Sequence, residues 1–486
     1  MTDIKKKLDG LAAQLGMVSA KSLMDQPATP AQKARNTTAA TPDEEETVAA
    51  GAGNVLSSEM ASQLRARLGL SSGGNALTPA ALTAGESLEI EALLPGEIIG
   101  DDTWGFFLYR RAFPLDHPIG TVPLGVGLAC HGTQIALSAC DAQLRDFDPR
   151  KTVYVDTETT GLAGGAGTVA FLVGLGYFRD DAFILEQCFL RDYDDEGAML
   201  EYVAERFREF VCVVSYNGKS FDLPLLKTRF VQHRLPVPFP DAAHYDLVHA
   251  VRRVWKKRLS DCSLNNIERL VLGFHRHDDV PGYLIPRIWL DYLETRDARS
   301  LEGVFHHHAM DILSLAALAG HLSQRLAATE GPAFHHAEDQ VSVIRLYYRN
   351  KEYGSVMEHA RGFLEVSAVA DDLRRECLFL LGNAAKRLNR FDEMYEAWKE
   401  IHETYPEDSV GAAELAKFIE HQFRNPRAAA EICRETLQAI EAAKGIPGLS
   451  GDIRISALRG RLKRLEGKME RQRKPKRGKE DEIFED

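Results

Sequence analysis

The stretch Val153-Tyr-Val-Asp-Thr-Glu-Thr-Thr-Gly161 decides how this chain is interpreted, because it joins an apolar run to two acidic residues at a strand end. Residues i and i+2 of a strand point to the same face, so Asp156 and Glu158 converge while Thr157 faces the other side. A buried pair of carboxylates needs a cation or bulk water nearby. The stretch therefore predicts a divalent-metal site; on these residues alone, a solvated turn after a strand is the alternative.

A second acidic motif, Asn217-Gly-Lys-Ser-Phe-Asp222, follows an apolar strand that ends at Ser215. Asn-Gly is typical of a turn, and Pro224 is tolerated in the first turn of the helix that we expect to follow. Asp222 then lies near a helix N-terminus, which stabilises its anionic form. Taken alone, Asp222 is most simply a helix-capping acid.

A third motif, His306-His307-His308-Ala-Met-Asp311, opens a long helical stretch. His307 and Asp311 are at i and i+4 and share one helix face. Adjacent helical residues point about 100° apart, so the three histidines cannot all ligate one ion, and a zinc site is the weaker interpretation. A run of surface histidines is the other alternative.

Together the three motifs supply four carboxylates with a histidine one helical turn from the last: Asp156, Glu158, Asp222 and Asp311. Two divalent cations about 4 Å apart need several hard oxygen ligands. A neutral histidine beside them deprotonates or orients the attacking water. The set therefore predicts hydrolysis of a phosphodiester with two divalent metal ions, Mg²⁺ or Mn²⁺.

In this order the motifs resemble those of the DEDD superfamily of 3′–5′ exonucleases, which have a ribonuclease H-like fold. The segments Gly161 to Thr168, Tyr216 to Pro224, His244 to His249 and Asp279 to Gly282 further resemble the YprB-like bacterial proteins, a branch of predicted exonucleases. The resemblance covers roughly residues 90 to 325. It implies that the four carboxylates are metal ligands.

The resemblance leaves two candidates for the catalytic histidine. The commonest histidine form of the superfamily puts four residues between His and Asp, which selects His306. The YprB-like pattern, His-Asn-x-x-Asp, selects His307, although His308 replaces the Asn in this chain. We favour His307, because the i, i+4 spacing places it on the face of Asp311.

The fold class that we expect is α/β: a ribonuclease H-like mixed sheet flanked by helices, followed by an α-helical tetratricopeptide-like repeat domain. Leu380-Leu-Gly382, Ala385, Ala397 and Tyr405-Pro406 match the landmarks of one repeat unit, and a plain helical bundle is the alternative. The expected divisions are a mostly disordered region 1–88, a small β lead-in 89–149, the exonuclease domain 150–325, the repeat domain 338–445 and a charged tail 463–486.

The composition of the chain limits how it can contact nucleic acid. With 486 residues and 44% apolar content, the chain is long enough for two or three domains. A net charge of −12 means that nucleic acid must be contacted through local clusters. The candidate nucleic-acid-binding residues are Asn217, Lys219, Arg252, Arg253, Lys256 and Lys257. Trp255, among these cations, either stacks a base or lies in the core.

Seven scattered cysteines with no C-x-x-C pair indicate reduced thiols and a cytoplasmic location. No stretch approaches ~18 consecutive apolar residues, so we expect no membrane partner. We expect a metal-dependent 3′–5′ exonuclease acting on single-stranded DNA or RNA, with an unidentified protein docked on the repeats. The alternative is a catalytically weak or inactive binding module that keeps the nuclease fold.

Overall fold

The structure, a computed structural model, describes residues 87–100, 104–161, 167–239, 243–328, 334–366, 369–443 and 453–473. The chain divides into two compact units, Met1–Ala66 and Arg67–Asp486, and every described residue belongs to the second. The disordered region predicted for 1–88 therefore lies outside the described residues, except for its last two. The second half of the predicted charged tail, 474–486, also lies outside them.

A seven-stranded mixed sheet forms the centre of the molecule. Its strands are β1 (Glu97–Gly100), β2 (Gly105–Pro114), β5 (Thr152–Thr159), β6 (Ala170–Arg179), β7 (Ala182–Phe189), β8 (Cys212–Ser215) and β9 (Ala243–Asp246), in the order β1-β2-β7-β6-β5-β8-β9. A separate two-stranded hairpin joins β3 (Pro118–Ile119) to β4 (Val122–Pro123). β5 pairs antiparallel with β6 and parallel with β8, so the carboxyl ends of β5 and β8 meet at one edge.

Helices cover both faces of this sheet. The helices of this region are α1 (Ile90–Leu93), α2 (Gly132–Ala139), α3 (Glu196–Phe207), α4 (Asp222–Gln232), α5 (Leu247–Trp255), α6 (Leu264–Ile267), α7 (Ile285–Thr295) and α8 (Leu301–Ala327). Short 3₁₀ turns lie at Leu124–Ala129, Ala142–Asp146, Pro149–Lys151, Tyr193–Asp195, Gly282–Leu284 and Ala298–Ser300, and one π-helical turn at Glu268–Leu272. The predicted mixed sheet flanked by helices is confirmed.

Two hydrophobic cores lie on the two faces of the sheet. Alternate residues of β5 contribute to the two cores. Tyr154 lies in one of them, the front core, with Val214, Tyr245 and the middle of α8. Val153 and Val155 enter the back core, with Leu200, Phe230 and Trp289 from α3, α4 and α7. β5 is thus buried on both faces up to Val155, and its acidic residues come where the strand emerges from the cores.

The two longer strands of the expected β lead-in, 89–149, are part of the main sheet, whereas β3 and β4 form the separate hairpin. β2 pairs with β7 along eight residues, from Phe107 opposite Phe189 to Pro114 opposite Ala182. The buried start of β2, Gly105 to Leu108, also supplies Phe106, Phe107 and Leu108 to the back core. β1 and β2 therefore complete the sheet, and the apolar residues at the start of β2 are buried in the back core.

The C-terminal region is helical, as predicted. It contains α9 (Ala337–Arg349), α10 (Tyr353–Leu364), α11 (Asp371–Arg387), α12 (Phe391–Thr404), α13 (Ser409–His421), α14 (Pro426–Ala442) and α15 (Ile453–Arg473). These helices pack around a third, helical core that includes Val341, Trp398 and Leu465. In the described part of the chain, no helix is both long enough and apolar enough to span a membrane.

The start of the predicted charged tail forms an ordered helix. Residues 463–473 belong to α15, whose Leu458 and Leu465 are buried in the helical core. Arg464 and Lys468 pair with the buried carboxylate of Glu420 on α13, at 2.6 and 3.2 Å. Arg464 and Lys468 therefore help to attach α15 to α13, while the apolar residues of α15 pack in the helical core.

Candidate metal centre

Asp156 and Glu158 lie at the end of β5, on the face that meets α8. Both side chains are partly exposed, at 20% and 15%. Thr157 between them is buried and faces the other way, where its hydroxyl donates a 2.5 Å hydrogen bond to Asp222 Oδ1. The strand alternation inferred from the sequence thus places the carboxylates of Asp156 and Glu158 on the side of α8. Thr157, which points to the opposite side, holds the carboxylate of Asp222.

α8 brings His307 and Asp311 to these carboxylates. His307 Nε2 lies 3.4 Å from Asp311 Oδ2 and 3.9 Å from Glu158 Oε1. One ligand atom from each of these three residues lies within 4.8 Å of the other two. In the described residues, this is the group of acidic and histidine side chains whose spacing fits a metal ion. The carboxylate oxygens of the group are hard donors, which suit Mg²⁺ or Mn²⁺.

Electrostatics at the centre also fit a cation. Burial, and then the charge of Asp311, raise the pKa of Glu158 to about 8. Burial raises the pKa of Asp222 to about 6, although the Thr157 hydrogen bond opposes the shift. Burial and the charges of Asp311, Asp222 and Glu158 raise the pKa of Asp156 well above its ordinary value. The four carboxylates repel one another, and a divalent cation would relieve that repulsion.

Arg276 enters this centre, and sequence reasoning missed it. Its guanidinium donates to Glu268 Oε1 at 2.6 Å, contacts Asp279 Oδ2 at 3.3 Å and pairs with Asp311. Burial alone would lower the pKa of Arg276, but Asp311 and Glu268 raise it above its ordinary value. No motif marks Arg276 in the sequence, because Glu268 and Asp311 are eight and thirty-five residues away from it along the chain.

Asp279 orients His307. The Nδ1 atom of His307 lies 2.8 Å from Asp279 Oδ1, so this nitrogen donates and Nε2 faces Asp311 and Glu158. Burial by itself favours the neutral ring, but the Asp279 hydrogen bond and the charges of Asp311, Asp279 and Glu158 together raise the pKa of His307. In the sequence, the segment Asp279 to Gly282 carries only a family resemblance. The contact between Asp279 and His307 depends on the tertiary structure.

The three histidines of the run take three different places. His306 is exposed, and His307 faces the carboxylates. His308 is fully buried: its Nδ1 accepts from Gln187 Nε2 at 3.0 Å and its Nε2 donates to the Asp156 carbonyl at 3.1 Å. Burial lowers the pKa of His308 to about 4, so this ring is neutral near pH 7 and supports the β5 backbone.

Asp246 holds the loop of the second motif. Its buried carboxylate accepts the backbone N–H groups of Asn217 at 2.7 Å and Lys219 at 3.1 Å. It also caps α5 by accepting Val248 N–H. Asn217 has φ +69°, a left-handed conformation that Asn tolerates. Asp246 therefore both caps α5 and holds the backbone of the second motif.

The predicted nucleic-acid-binding cations have different surroundings. Arg253 donates to the Ser138 carbonyl at 3.0 Å, Lys257 pairs with Glu376 at 2.9 Å, and Lys256 contacts the Ser260 carbonyl. The side chains of Arg252 and Lys219 are exposed. Trp255 is buried in the front core, which excludes base stacking by this ring and supports the core alternative.

Comparison with known proteins covers these same elements. Residues 153–323, from β5 to α8, match the RNase_H superfamily. The chain is also 31% identical over 297 residues to the Bacillus subtilis (strain 168) protein called "Uncharacterized protein YprB". That alignment covers 60% of this chain and 70% of the relative. The matched superfamily segment contains every carboxylate of the candidate centre.

Proposed function

This chain belongs to the family of the Bacillus subtilis protein YprB and carries a domain of the RNase_H superfamily, and from that premise we propose that it is a metal-dependent 3′–5′ exonuclease. A nuclease fold implies that the protein binds nucleic acid. The finer assignment, to the DEDD type acting on single-stranded DNA or RNA, rests on the order of the three motifs.

The observation that carries the proposal is the convergence of Glu158, His307 and Asp311. The charges of Asp311 and Glu158 also act on Asp156 and raise its pKa. When bound, two Mg²⁺ or Mn²⁺ ions would supply an activated water and stabilise the leaving oxygen. Asp156, Glu158, Asp222 and Asp311 are the residues proposed to hold them. The raised pKa values of Glu158 and Asp222 fit this role, because buried carboxylates gathered to bind a divalent cation carry excess negative charge when no cation is bound.

His307 is the proposed general base, and His306 is the competing candidate. The Nε2 atom of His307 faces the carboxylates while Asp279 holds Nδ1, the arrangement of an oriented imidazole that takes a proton at Nε2. His306 has an exposed side chain on the same helix. Asn217, Lys219, Arg252, Arg253, Lys256 and Lys257 are proposed to contact the nucleic-acid backbone.

A direct assay tests the activity. The protein is incubated with Mg²⁺ or Mn²⁺ and 5′-labelled single-stranded DNA or RNA, beside an Asp156→Ala/Glu158→Ala double variant. We expect a stepwise ladder of shortening products that the double variant loses and that a 3′-terminal block prevents. The matched control removes two exposed carboxylates of α3, Glu201→Ala/Glu205→Ala, and should keep the ladder. Absent cleavage with both metals, or cleavage unaffected by the first double variant, would refute the proposal.

Metal binding is tested separately from cleavage, which distinguishes the enzyme from an inactive binding module. A ligand at 100 times its dissociation constant stabilises a protein by about 2.7 kcal/mol. We therefore expect Mn²⁺ to raise the melting temperature of the wild type and not that of the Asp156→Ala/Glu158→Ala variant. Metal stabilisation without cleavage would favour the alternative, a nucleic-acid or protein-binding module with a nuclease fold.

The helical region is proposed to be a tetratricopeptide-like scaffold for an unidentified protein. Three consecutive pairs of helices that pack together, α9–α10, α11–α12 and α13–α14, fit such a scaffold. A Cβ at Gly382 would meet the Trp398 ring at 2.7 Å, so the small-residue landmark marks a close helix contact. A cytoplasmic location remains part of the proposal.

A further inference from the structure

A cleft of about 260 Å³ lies where α5 of the nuclease domain meets α9 of the helical region. Its lining is dominated by cations, with four guanidinium groups and one imidazole. The lining residues are His249, Arg252, Arg253, Ser342, Arg345, Leu346 and Arg349. We refer to this feature as the arginine cleft.

Helical spacing explains why the cations converge. His249, Arg252 and Arg253 are at i, i+3 and i+4 on α5 and share one face. Arg345 and Arg349 are at i and i+4 on α9, and Ser342 and Leu346 lie on the same face. The two faces meet because α5 and α9 pack together through the front core, to which Leu346 and Val251 both belong.

The positive charge of the arginine cleft is poorly neutralised. Arg345 pairs with Glu376, but no carboxylate among the described residues lies within ion-pair distance of Arg252, Arg253 or Arg349. This concentration stands out in a chain whose net charge is −12. Gathering guanidinium groups costs electrostatic free energy unless an anion is bound, and their planar, multiple donors suit phosphate.

Two ion pairs fix the walls of the cleft relative to each other. Arg258 Nε, just after α5, contacts Asp339 Oδ2 on α9 at 2.9 Å, and Asp339 is buried. Lys257 Nζ contacts Glu376 Oε2 on α11 at 2.9 Å. Because both pairs join the nuclease domain to the helical region, the arginine cleft is held open by structure outside its lining.

The arginine cleft is also connected to the candidate metal centre. α5 begins directly after Asp246, whose carboxylate holds the backbone of Asn217 and Lys219 in the second motif. His249 Nε2 is 4.0 Å from that carboxylate. Arg252 and Arg253 lie one turn further, about 5.4 Å along the helix axis. The cations of α5 therefore follow one another along the helix, starting beside the loop that precedes Asp222.

We propose that the arginine cleft binds backbone phosphates of the nucleic-acid substrate upstream of the bond that is cut, with Arg345 and Arg349 contributed by the helical region. The inference rests on the proposed function for the identity of the strand. It gives the helical region a role in substrate binding within the same chain, in addition to the proposed docking of a partner.

Binding without cleavage tests this inference. Fluorescence anisotropy with a 5′-fluorescein single-stranded 20-mer, in EDTA, reports affinity as a function of salt. Each lost phosphate contact should reduce the slope of log K against log[salt] by about 0.7 for a single strand. We expect Arg252→Glu and Arg349→Glu each to weaken binding about tenfold and to reduce this slope.

The matched control is Arg387→Glu, the same charge change at an exposed position on α11 outside the cleft lining. It should change affinity less than twofold, and melting temperatures of all variants verify folding. Unchanged binding in the cleft variants, or a loss equal to that of the control, overturns the inference. So does displacement of the strand by polyglutamate at an equal concentration of charges, which would indicate an acidic protein ligand.

The two proposals fail in different ways. A protein that binds the strand through Arg252 and Arg349 but cuts nothing overturns only the exonuclease. A protein that cuts but whose binding ignores both charge reversals overturns only the role of the arginine cleft.

Discussion

Single side chains at the candidate metal centre are held by partners from distant parts of the chain. Thr157 holds Asp222, Asp279 holds His307, and Arg276 pairs with Asp311. Each of these partners is as important to the geometry as the residue it holds, because a carboxylate or imidazole with a free rotamer loses its alignment. The centre is thus defined by pairs of residues, and the members of each pair come from separate segments of the chain.

At this scale, the histidine assignment is testable by substitution. A positioned general base contributes about 10²–10⁴-fold to a rate. We expect His307→Asn to lower kcat by that amount and His306→Asn to change kcat no more than a few-fold, measured by single-turnover cleavage of a labelled strand. A larger loss for His306→Asn than for His307→Asn would reverse the assignment.

Asp279 sets the pH dependence of the same histidine. Its hydrogen bond and charge raise the pKa of His307, and a general base is active only when neutral. Asp279→Asn removes the charge, so the pKa of His307 should fall. The acid limb of the kcat–pH profile should therefore move to lower pH in this variant, while the maximal rate falls because the ring loses its orientation. An acid limb that moves to higher pH would contradict this role.

Among the structural elements, β6 and α8 approach so closely that only glycine fits between them. Gly174 is paired with Asp156 across the β5–β6 ladder. A Cβ added there would lie 2.5 Å from His308 Cε1 and closer still to Ile312 Cδ1. The contact sets the distance between the strand that carries Asp156 and the helix that carries Asp311.

Gly174→Ala should therefore disturb both stability and the centre. Overpacking a core costs about 1–3 kcal/mol, and we expect a melting temperature lower by several degrees together with weaker Mn²⁺ stabilisation. The control is Gly354→Ala on α10, where a Cβ meets nothing within 4 Å and helix propensity favours alanine. A Gly174→Ala protein as stable and as responsive to metal as the wild type would disprove the close-contact argument.

The attachment of α15 depends on one buried carboxylate. Hydrogen bonds from Arg464 and Lys468, helped by their charges, lower the pKa of Glu420 to about 2. A carboxylate with a lowered pKa contributes stability above its unfolded pKa of about 4.3 and loses it as the pH falls towards 2.

Glu420→Gln should consequently lower the melting temperature most at pH 7. The difference from the wild type should shrink between about pH 4.3 and pH 2, because protonation removes the same charge from the wild type. Thermal melts of both proteins across this interval measure it. A difference that stays constant with pH would show that the ion pairs contribute nothing through charge.

At the scale of the whole molecule, α9 belongs to two cores. Its residues Val343 and Leu346 pack in the front core of the nuclease domain, whereas Val341 and Ile344 pack in the helical core. Arg258 and Asp339 add an ion pair across the same boundary. The core of the nuclease domain is therefore completed by α9, although α9 lies in the segment predicted to form the repeat domain.

Truncation tests this sharing. A chain ending at Ala328 loses Phe334, Val343 and Leu346 from the front core, and burial of each such side chain contributes about 1.5–3 kcal/mol. We expect that protein to melt far below the full chain or to aggregate, and a chain ending at Asn350 to recover most of the melting temperature of the nuclease domain. Equal stability of the two truncated proteins would argue against a shared helix.

The sequence by itself determined what depends on local geometry. The i, i+2 alternation of β5 put Asp156 and Glu158 on one face, and the i, i+4 spacing of α8 put His307 beside Asp311, because backbone periodicity sets both directions. The mixed sheet and the helical C-terminal region also followed from periodicity. Only the tertiary structure decided that Arg276 and Asp279 complete the centre and that α5 and α9 form the arginine cleft. Those contacts join residues far apart in the chain, and their distances are set by how whole elements pack.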